Sequence, residues 1–263
     1  MKSNRPIISI SNGFFTYNHT PVLQDLNLTI DKGKFYGLIG PNGSGKSTLI
    51  DVLMGISPLN DGEVSYNSIP LQHYKKRDLA TCLALVPQSV NIGFEFTVLE
   101  IVLMGRHPHI PRFSQPSAAD YAIVDEALKL LDIHELQNRS VTQLSGGEKQ
   151  RVIVARAIVQ DTDVLMLDEA TSNLDIEHTL EIMRVLYQKV RNTQKTIIAA
   201  IHDLNLAAAF CDDIIVLNEG KIIEIGPVKE ILTTDMISKV FSVKADVFHE
   251  EKHIRIHFEM NGP

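Results

Sequence analysis

The chain has 263 residues, 44% hydrophobic and 22% charged, the balance of an ordinary soluble globular protein, with room for one large α/β domain or a core carrying an inserted subdomain. No apolar run reaches the roughly 18 to 20 residues that cross a bilayer, and the N-terminal MKSNRPIISI lacks the apolar core of a secretory signal. A formal net charge of −7 argues against a general nucleic-acid binder, and two distant cysteines, Cys82 and Cys211, make no disulfide framework and fit a reducing cytosol.

In chain order, Ile7 to Ile10 and Val22 to Ile30 read as strands of a small antiparallel sheet. Phe35 to Ile39 is an apolar strand running into a glycine-rich turn, and Ser47 to Met54 follows as a helix that stops at Gly55. From about Gln88 to Gln160 helical patterns dominate, with helices predicted over Ala118 to Leu131 and Glu148 to Val159 and no convincing buried strand. Val164 to Leu167 and Thr196 to Ile201 are unbroken apolar runs, as in strands buried on both faces of a parallel sheet. The predicted class is therefore α/β, a core of mainly parallel sheet with an N-terminal antiparallel β subdomain and an inserted helical subdomain. We place the single domain at 1–240, the insertion at about 88–160 and a strand or hairpin extension at 241–263.

GPNGSGKST, residues 40–48, matches G-x-x-x-x-G-K-[ST] after a strand and before a helix. Glycines let successive backbone N–H groups curl toward phosphate oxygens, and the helix N-terminus adds positive potential. Gly40, Pro41, Asn42, Gly43, Ser44, Gly45, Lys46, Ser47 and Thr48 form the candidate cradle; Lys46 would bind the β- and γ-phosphates and Ser47 a Mg²⁺ ion. Asp168 and Glu169 end a buried strand, where ligands of open α/β sheets bind. Asp168 is placed to support Mg²⁺, and Glu169 to polarise an attacking water as general base. His202 ends the neighbouring apolar strand and could reach the γ-phosphate; without further context it is an ordinary strand-end histidine.

LSGGEKQR, residues 144–151, has the S-x-x-E spacing of a capping box at Ser145 and Glu148. Gly146 and Gly147 leave that helix N-terminus uncovered and open to an anion. Taken alone it is a well-capped helix; beside the phosphate loop it is a second phosphate-binding terminus.

With these motifs the sequence resembles the ATP-binding-cassette ATPases, from about Ile7 to Val247. The resemblance is carried by GPNGSGKST, Gln88, LSGGE (144–148), VLMLDE (164–169), SNLD (172–175) and His202. It implies the ABC ATPase fold, ATP and Mg²⁺ as ligands, and a nucleotide-sandwich dimer in which Ser145, Gly146 and Gly147 act across the interface. It further implies that Gln88 lies near Mg²⁺ and the attacking water, that Asp175 contacts the opposite subunit, and that Tyr17 stacks on adenine. Tyr17 has rivals in Phe14 and Phe15, since a strand aromatic is more often core. One departure is Ala170, where many members carry proline; alanine restores chain freedom worth up to about 1 kcal/mol and removes no catalytic group.

The absence of a fused membrane span or second cassette points to a separate subunit docked on a permease. TVLEIVLMGRHPHIPRFSQPSAADY and HDLNLAAAFCDDIIVLNEGKIIEIGP look like the branch serving metal-chelate importers, most like the ferric-siderophore members, with cobalamin, haem, molybdate and zinc systems as alternatives. The partners implied are a second copy of the chain, integral-membrane permease subunits and, indirectly, a substrate-binding protein, but no nucleic acid, at the cytoplasmic face of the inner membrane. A soluble regulatory cassette without a permease is the competing class.

Two histidine patterns invite a metal. His107-Pro108-His109 reads as extended backbone because of Pro108, which splits the two imidazoles to opposite sides, and no acid or cysteine completes a ligand set. A partner-facing surface stiffened by Pro108 and Pro111 fits better. HEEKH, residues 249–253, matches the zinc-protease pattern, but the following alternation over Ile254 to Glu259 predicts a strand where that chemistry needs a helix.

Overall fold

A computed structural model describes residues 6–89, 92–172, 174–250 and 254–259. Asn173 of the 172–175 motif, Val90 and Asn91 of the 88–160 segment, and His253 of the H-E-x-x-H match lie outside the described residues. The chain packs as two compact units, one of Met1–His73 with Ile198–Pro263, the other of Tyr74–Ile197.

The first unit opens with β1 (Ile8–Tyr17) and β2 (Thr20–Ile30), antiparallel with Ile8 opposite Ile30 and Ile10 opposite Leu28. β1 continues seven residues past the predicted stop at Ile10. Register shifts after Ile10 and around Phe15 break the two-residue alternation that marks a strand in sequence, while the pairing itself goes on. A Cβ on Gly13 would sit 2.7 Å from Ile10 Cγ2, so that position takes only glycine without rearrangement. After β3 (Phe35–Ile39) and helix α1 (Lys46–Leu53), β4 (Asp61–Tyr66) and β5 (Ile69–Pro70) complete a sheet ordered β2-β1-β4-β5.

The second unit carries α2 (Lys76–Leu79), β6 (Leu83–Val86), α3 (Val98–Leu103), α4 (Ala118–Leu130), α5 (Gly146–Val159), β7 (Val164–Asp168) and α6 (Ile176–Thr193). β6 and β7 pair in parallel from Leu83 opposite Val164 to Val86 opposite Leu167. Helices α3 and α4 pack on α5, whose Val152, Ile153, Val154 and Ala155 are all buried. Capping boxes start α3 at Thr97 and Glu100, α4 at Ser117 and Asp120, and α5 at Ser145 and Glu148. α5 thus begins two residues before its predicted start, since Gly146 and Gly147 already belong to the first turn. α6, which sequence reading passed over, buries Ile182, Met183, Leu186 and Val190 along one face.

β8 (Thr196–Ala200) runs across the boundary between the units. Beyond it the first unit resumes with α7 (Leu204–Phe210), β9 (Asp213–Asn218), β10 (Lys221–Pro227), α8 (Val228–Ile231), α9 (Thr234–Phe241), β11 (Ala245–His249) and β12 (Ile254–Phe258). β3 pairs in parallel with β9, from Tyr36 opposite Asp213 to Ile39 opposite Val216, and β9 pairs antiparallel with β10. All five residues of β3 are buried, as its unbroken apolar run requires. β11 and β12 form an antiparallel hairpin, so His249 is the last residue of a strand.

Candidate functional site

In the first unit the phosphate loop leaves buried β3 and enters α1. A Cβ on Gly40 would lie 2.0 Å from Leu217 O, and Gly43 and Gly45 hold φ of 77° and 103°, the left-handed region that glycine tolerates. Around Gly43 a Cβ would meet nothing within 4 Å, so the loop has open space at its crest. Its base is tied down: Gly220 N–H donates to Ser44 O (3.0 Å), and Gln24 N–H donates to Gly220 O (2.8 Å).

Two side chains show what the loop is built for. Lys46 is only 4% exposed, and its Nζ donates to Gly40 O (2.9 Å) and Pro41 O (3.1 Å). Ser44 Oγ is buried with no hydrogen-bond partner among the described residues. An unsatisfied buried polar atom costs about 1 to 3 kcal/mol, and a phosphate oxygen in the loop would satisfy it. The loop therefore fits a phosphate chain.

Tyr17 is 48% exposed at the end of β1, its ring edge-on to buried Phe15 with centroids 4.7 Å apart. Of the two, Phe15 is the core aromatic and Tyr17 the one offered to solvent. His202 is exposed two residues before α7, whose N-cap Asp203 accepts from Asn205 N–H (2.8 Å) and Leu206 N–H (3.2 Å).

In the second unit β7 delivers Asp168 as its last residue, and Glu169 follows at φ 50°. A left-handed non-glycine residue costs roughly 1 to 2 kcal/mol, and such strain clusters at functional sites. Gln88 Nε2 donates to Glu169 Oε2 at 2.7 Å, so two candidate residues 81 positions apart meet directly.

The signature helix shows the expected cap. Ser145 N–H donates to Glu148 Oε2 (2.7 Å) and Glu148 N–H to Ser145 Oγ (3.3 Å); the Ser145 backbone donor leads in holding the Glu148 carboxyl below its usual range. A Cβ on Gly146 would meet nothing within 4 Å, so the N-terminus of α5 is uncovered. Asp175 caps α6, accepting from His178 N–H (2.9 Å) and pairing with His178 Nδ1 (2.8 Å), and the His178 backbone donor leads in lowering its pKa. A Cβ on Gly147 would fall 4.0 Å from that same Nδ1, which brings His178 to the signature. Sequence reading missed His178; its clue was the D-x-x-H spacing at a helix start. It also assigned nothing to Gln150 Nε2 and Arg151 Nε, both buried without a hydrogen-bond partner among the described residues.

One expectation is overturned. His107 lies in the right-handed helical region (φ −47°, ψ −39°), after a 3₁₀ turn at Met104–Arg106, and the chain turns through 107–109 where Pro108 predicted extended backbone. Tertiary bonds outweigh the proline bias. Arg77 donates to Pro108 O (3.1 Å) and to Ile110 O, and His109 Nε2 donates to Gln160 O (2.8 Å). Arg106, 8% exposed, donates to Asp120 Oδ1 (3.0 Å) and Val159 O (2.7 Å), so it belongs to the packing and not to a surface. Phe113, by contrast, is 95% exposed at φ 69° with the Arg112 guanidinium 5.2 Å from its ring centre.

A glycine loop with an orphaned hydroxyl and a buried lysine, entering a helix from a parallel strand, defines a nucleotide-binding α/β protein of the P-loop class. The family model described as ABC transporter matches residues 23–172, and the chain belongs to that family. It is 38% identical over 228 residues to a cobalamin import ATP-binding protein of Halobacterium salinarum, covering 87% of this chain but 57% of that relative's length. It is 37% identical over 231 residues to an iron(3+)-hydroxamate import ATP-binding protein of Bacillus subtilis, covering 88% of this chain and 86% of the other. Among solved structures, an inward-facing metal-chelate type ABC transporter superposes with a TM-score of 0.82 at 30% identity, covering 97% of both chains. The fold is that of the ABC ATPases. No helix among the described residues is long and apolar enough to cross a membrane.

Proposed function

We propose that the chain is the ATP-hydrolysing subunit of a metal-chelate importer, for ferric siderophores in the first place and for cobalamin or haem as the alternatives. The ATPase half of this proposal is carried by the phosphate loop, where Lys46 is buried and Ser44 Oγ lacks a partner that a phosphate would supply. The import half is supported by the relatives, which are named for iron(3+)-hydroxamate and cobalamin import.

In this mechanism Tyr17 packs on adenine and the N–H groups of 40–48 with Lys46 grip the phosphates. Ser47, Gln88 and Asp168 are the residues proposed to hold Mg²⁺, each offering an oxygen of the hard kind that ion takes, and the ion would supply positive charge to the phosphates. Because the Gln88 amide nitrogen is engaged by Glu169, the amide oxygen is the end of that side chain left to a cation. Glu169 takes the proton of the attacking water, and His202 donates to the γ-phosphate as charge develops. Ser145, Gly146, Gly147 and Asp175 serve the nucleotide of a second copy across a sandwich dimer. The helical 88–160 segment acts as the inserted subdomain, and the assembly sits peripherally on permease subunits at the cytoplasmic face of the membrane.

The test has two arms. Phosphate release by the purified chain with Mg-ATP checks the ATPase. Uptake of labelled ferric hydroxamate against labelled cobalamin in a deletion strain checks the cargo. Loss of neither uptake, with the protein absent from membrane fractions, would favour a soluble regulatory cassette.

A further inference from the structure

The β11–β12 hairpin is absent from the chemistry above, yet it is built onto the element that follows His202. The Asn205 side chain grips one backbone unit of β12 from both sides: Ile256 N–H donates to Asn205 Oδ1 (2.8 Å), and Asn205 Nδ2 donates to Ile256 O (3.1 Å). This is the pairing of one sheet strand with its neighbour, made here by a single side chain. The apolar face of the hairpin folds back as well. Ala245, Ile254 and Ile256 are buried, β12 packs on α7, and β11 packs on α9.

Each partner needs the other. An isolated two-stranded hairpin is marginal in water, and so is a helix as short as the seven-residue α7. Their mutual packing supplies what local structure does not. Asn205 also joins the hairpin to the chain beside His202, since its own N–H donates to Asp203 Oδ1 (2.8 Å). The hydrogen-bonded link from β12 to the residue after His202 therefore runs through Asn205, beside the apolar packing of β12 on α7.

We propose that the C-terminal hairpin is a brace that positions His202, with Asn205 as the positioning residue. The proposal rests on the reading of His202 as a group that acts on the γ-phosphate. Asn205 touches no substrate; it fixes the start of α7, and through Asp203 the backbone that presents the imidazole. With the brace released, His202 spends less time in its productive position. Turnover then falls while ATP affinity, set by the phosphate loop, does not.

The experiment is a double-mutant cycle on the full chain, with steady-state ATPase kinetics and amide hydrogen exchange as readouts. Alanine is a better helix former than asparagine, so Asn205→Ala keeps α7. It is expected to lower kcat about tenfold, leave KM for ATP within about twofold, and speed exchange of the Ile256 amide. Asn205→Asp keeps the acceptor for Ile256 N–H but loses the donor, and should fall between the two. In a His202→Ala background, Asn205→Ala should change kcat by less than about twofold, because the group it positions is gone. If His202→Ala lowers kcat but Asn205→Ala does not, the brace is wrong and the role of His202 stands. If His202→Ala leaves kcat unchanged, the role of His202 and the brace fall together. A further loss from Asn205→Ala in the His202→Ala background would show a general packing effect and would also overturn the proposal.

Discussion

Gln88 Nε2 donates to Glu169 Oε2 at 2.7 Å, joining the second residue after β6 to the carboxylate that follows β7. The bond fixes one oxygen of the proposed base. It also lies at the end of a parallel strand pair whose partners, Val86 and Leu167, are both buried, so the two residues are held by the core. Gln88→Leu keeps the bulk of the side chain and removes the amide. We predict a kcat loss of about tenfold, with ATP affinity within about threefold, read by phosphate release and by calorimetric titration.

Lys46 should behave in the opposite way. Its ammonium sits on Gly40 O and Pro41 O, buried and ready to exchange those carbonyls for phosphate oxygens. Charge-assisted hydrogen bonds contribute about 1.5 to 3 kcal/mol each, so Lys46→Ala should weaken ATP binding on the order of 10- to 100-fold. Calorimetry with a slowly hydrolysed analogue checks it.

Arg106 and Phe113 separate packing from surface within one short segment. Arg106 is buried and bonds both Asp120 and the Val159 carbonyl, which Arg106→Ala leaves without that donor, so the variant should lower the denaturant midpoint clearly. His107→Ala and Phe113→Ala, at exposed positions, should leave both the midpoint and basal ATPase unchanged while reducing uptake in cells. Equal destabilisation by all three variants would contradict this division.

Asp120 gives the segment a pH dependence. The Ser117 hydroxyl first, then the Ser117 N–H and Arg106, hold its carboxyl down at about 2, below the usual range of an aspartate. A carboxylate with a depressed folded pKa adds stability that is present above its unfolded value and lost as pH falls toward the folded one. Stability should therefore drop as pH is taken from about 4 to about 2, and Asp120→Asn should flatten that part of the curve. Chemical unfolding at a series of pH values measures it.

What the sequence made legible was the chemistry carried by local motifs. The phosphate loop and the capped signature helix each need particular residue types at fixed spacing, so GPNGSGKST and LSGGE could be placed before any fold was known. Contacts between distant residues were not legible. Nothing in the text links Asn205 to Ile256, 51 positions away, or Arg106 to Val159 O, 53 positions away. The same holds for His107, where the local bias set by Pro108 lost to the bonds that Arg77 donates to Pro108 O and Ile110 O and that His109 donates to Gln160 O. β1 was read short because its register shifts break the alternation that marks a strand.

The central claim is that this chain hydrolyses ATP with Glu169 as the base, and Glu169→Gln tests it most directly. The substitution keeps shape and hydrogen bonding but removes the proton acceptor, and general-base contributions are typically about 10²- to 10⁴-fold. Single-turnover phosphate release should fall by that range while the variant still binds ATP and accumulates as an ATP-bound dimer. Hydrolysis at the full rate by Glu169→Gln would contradict the account.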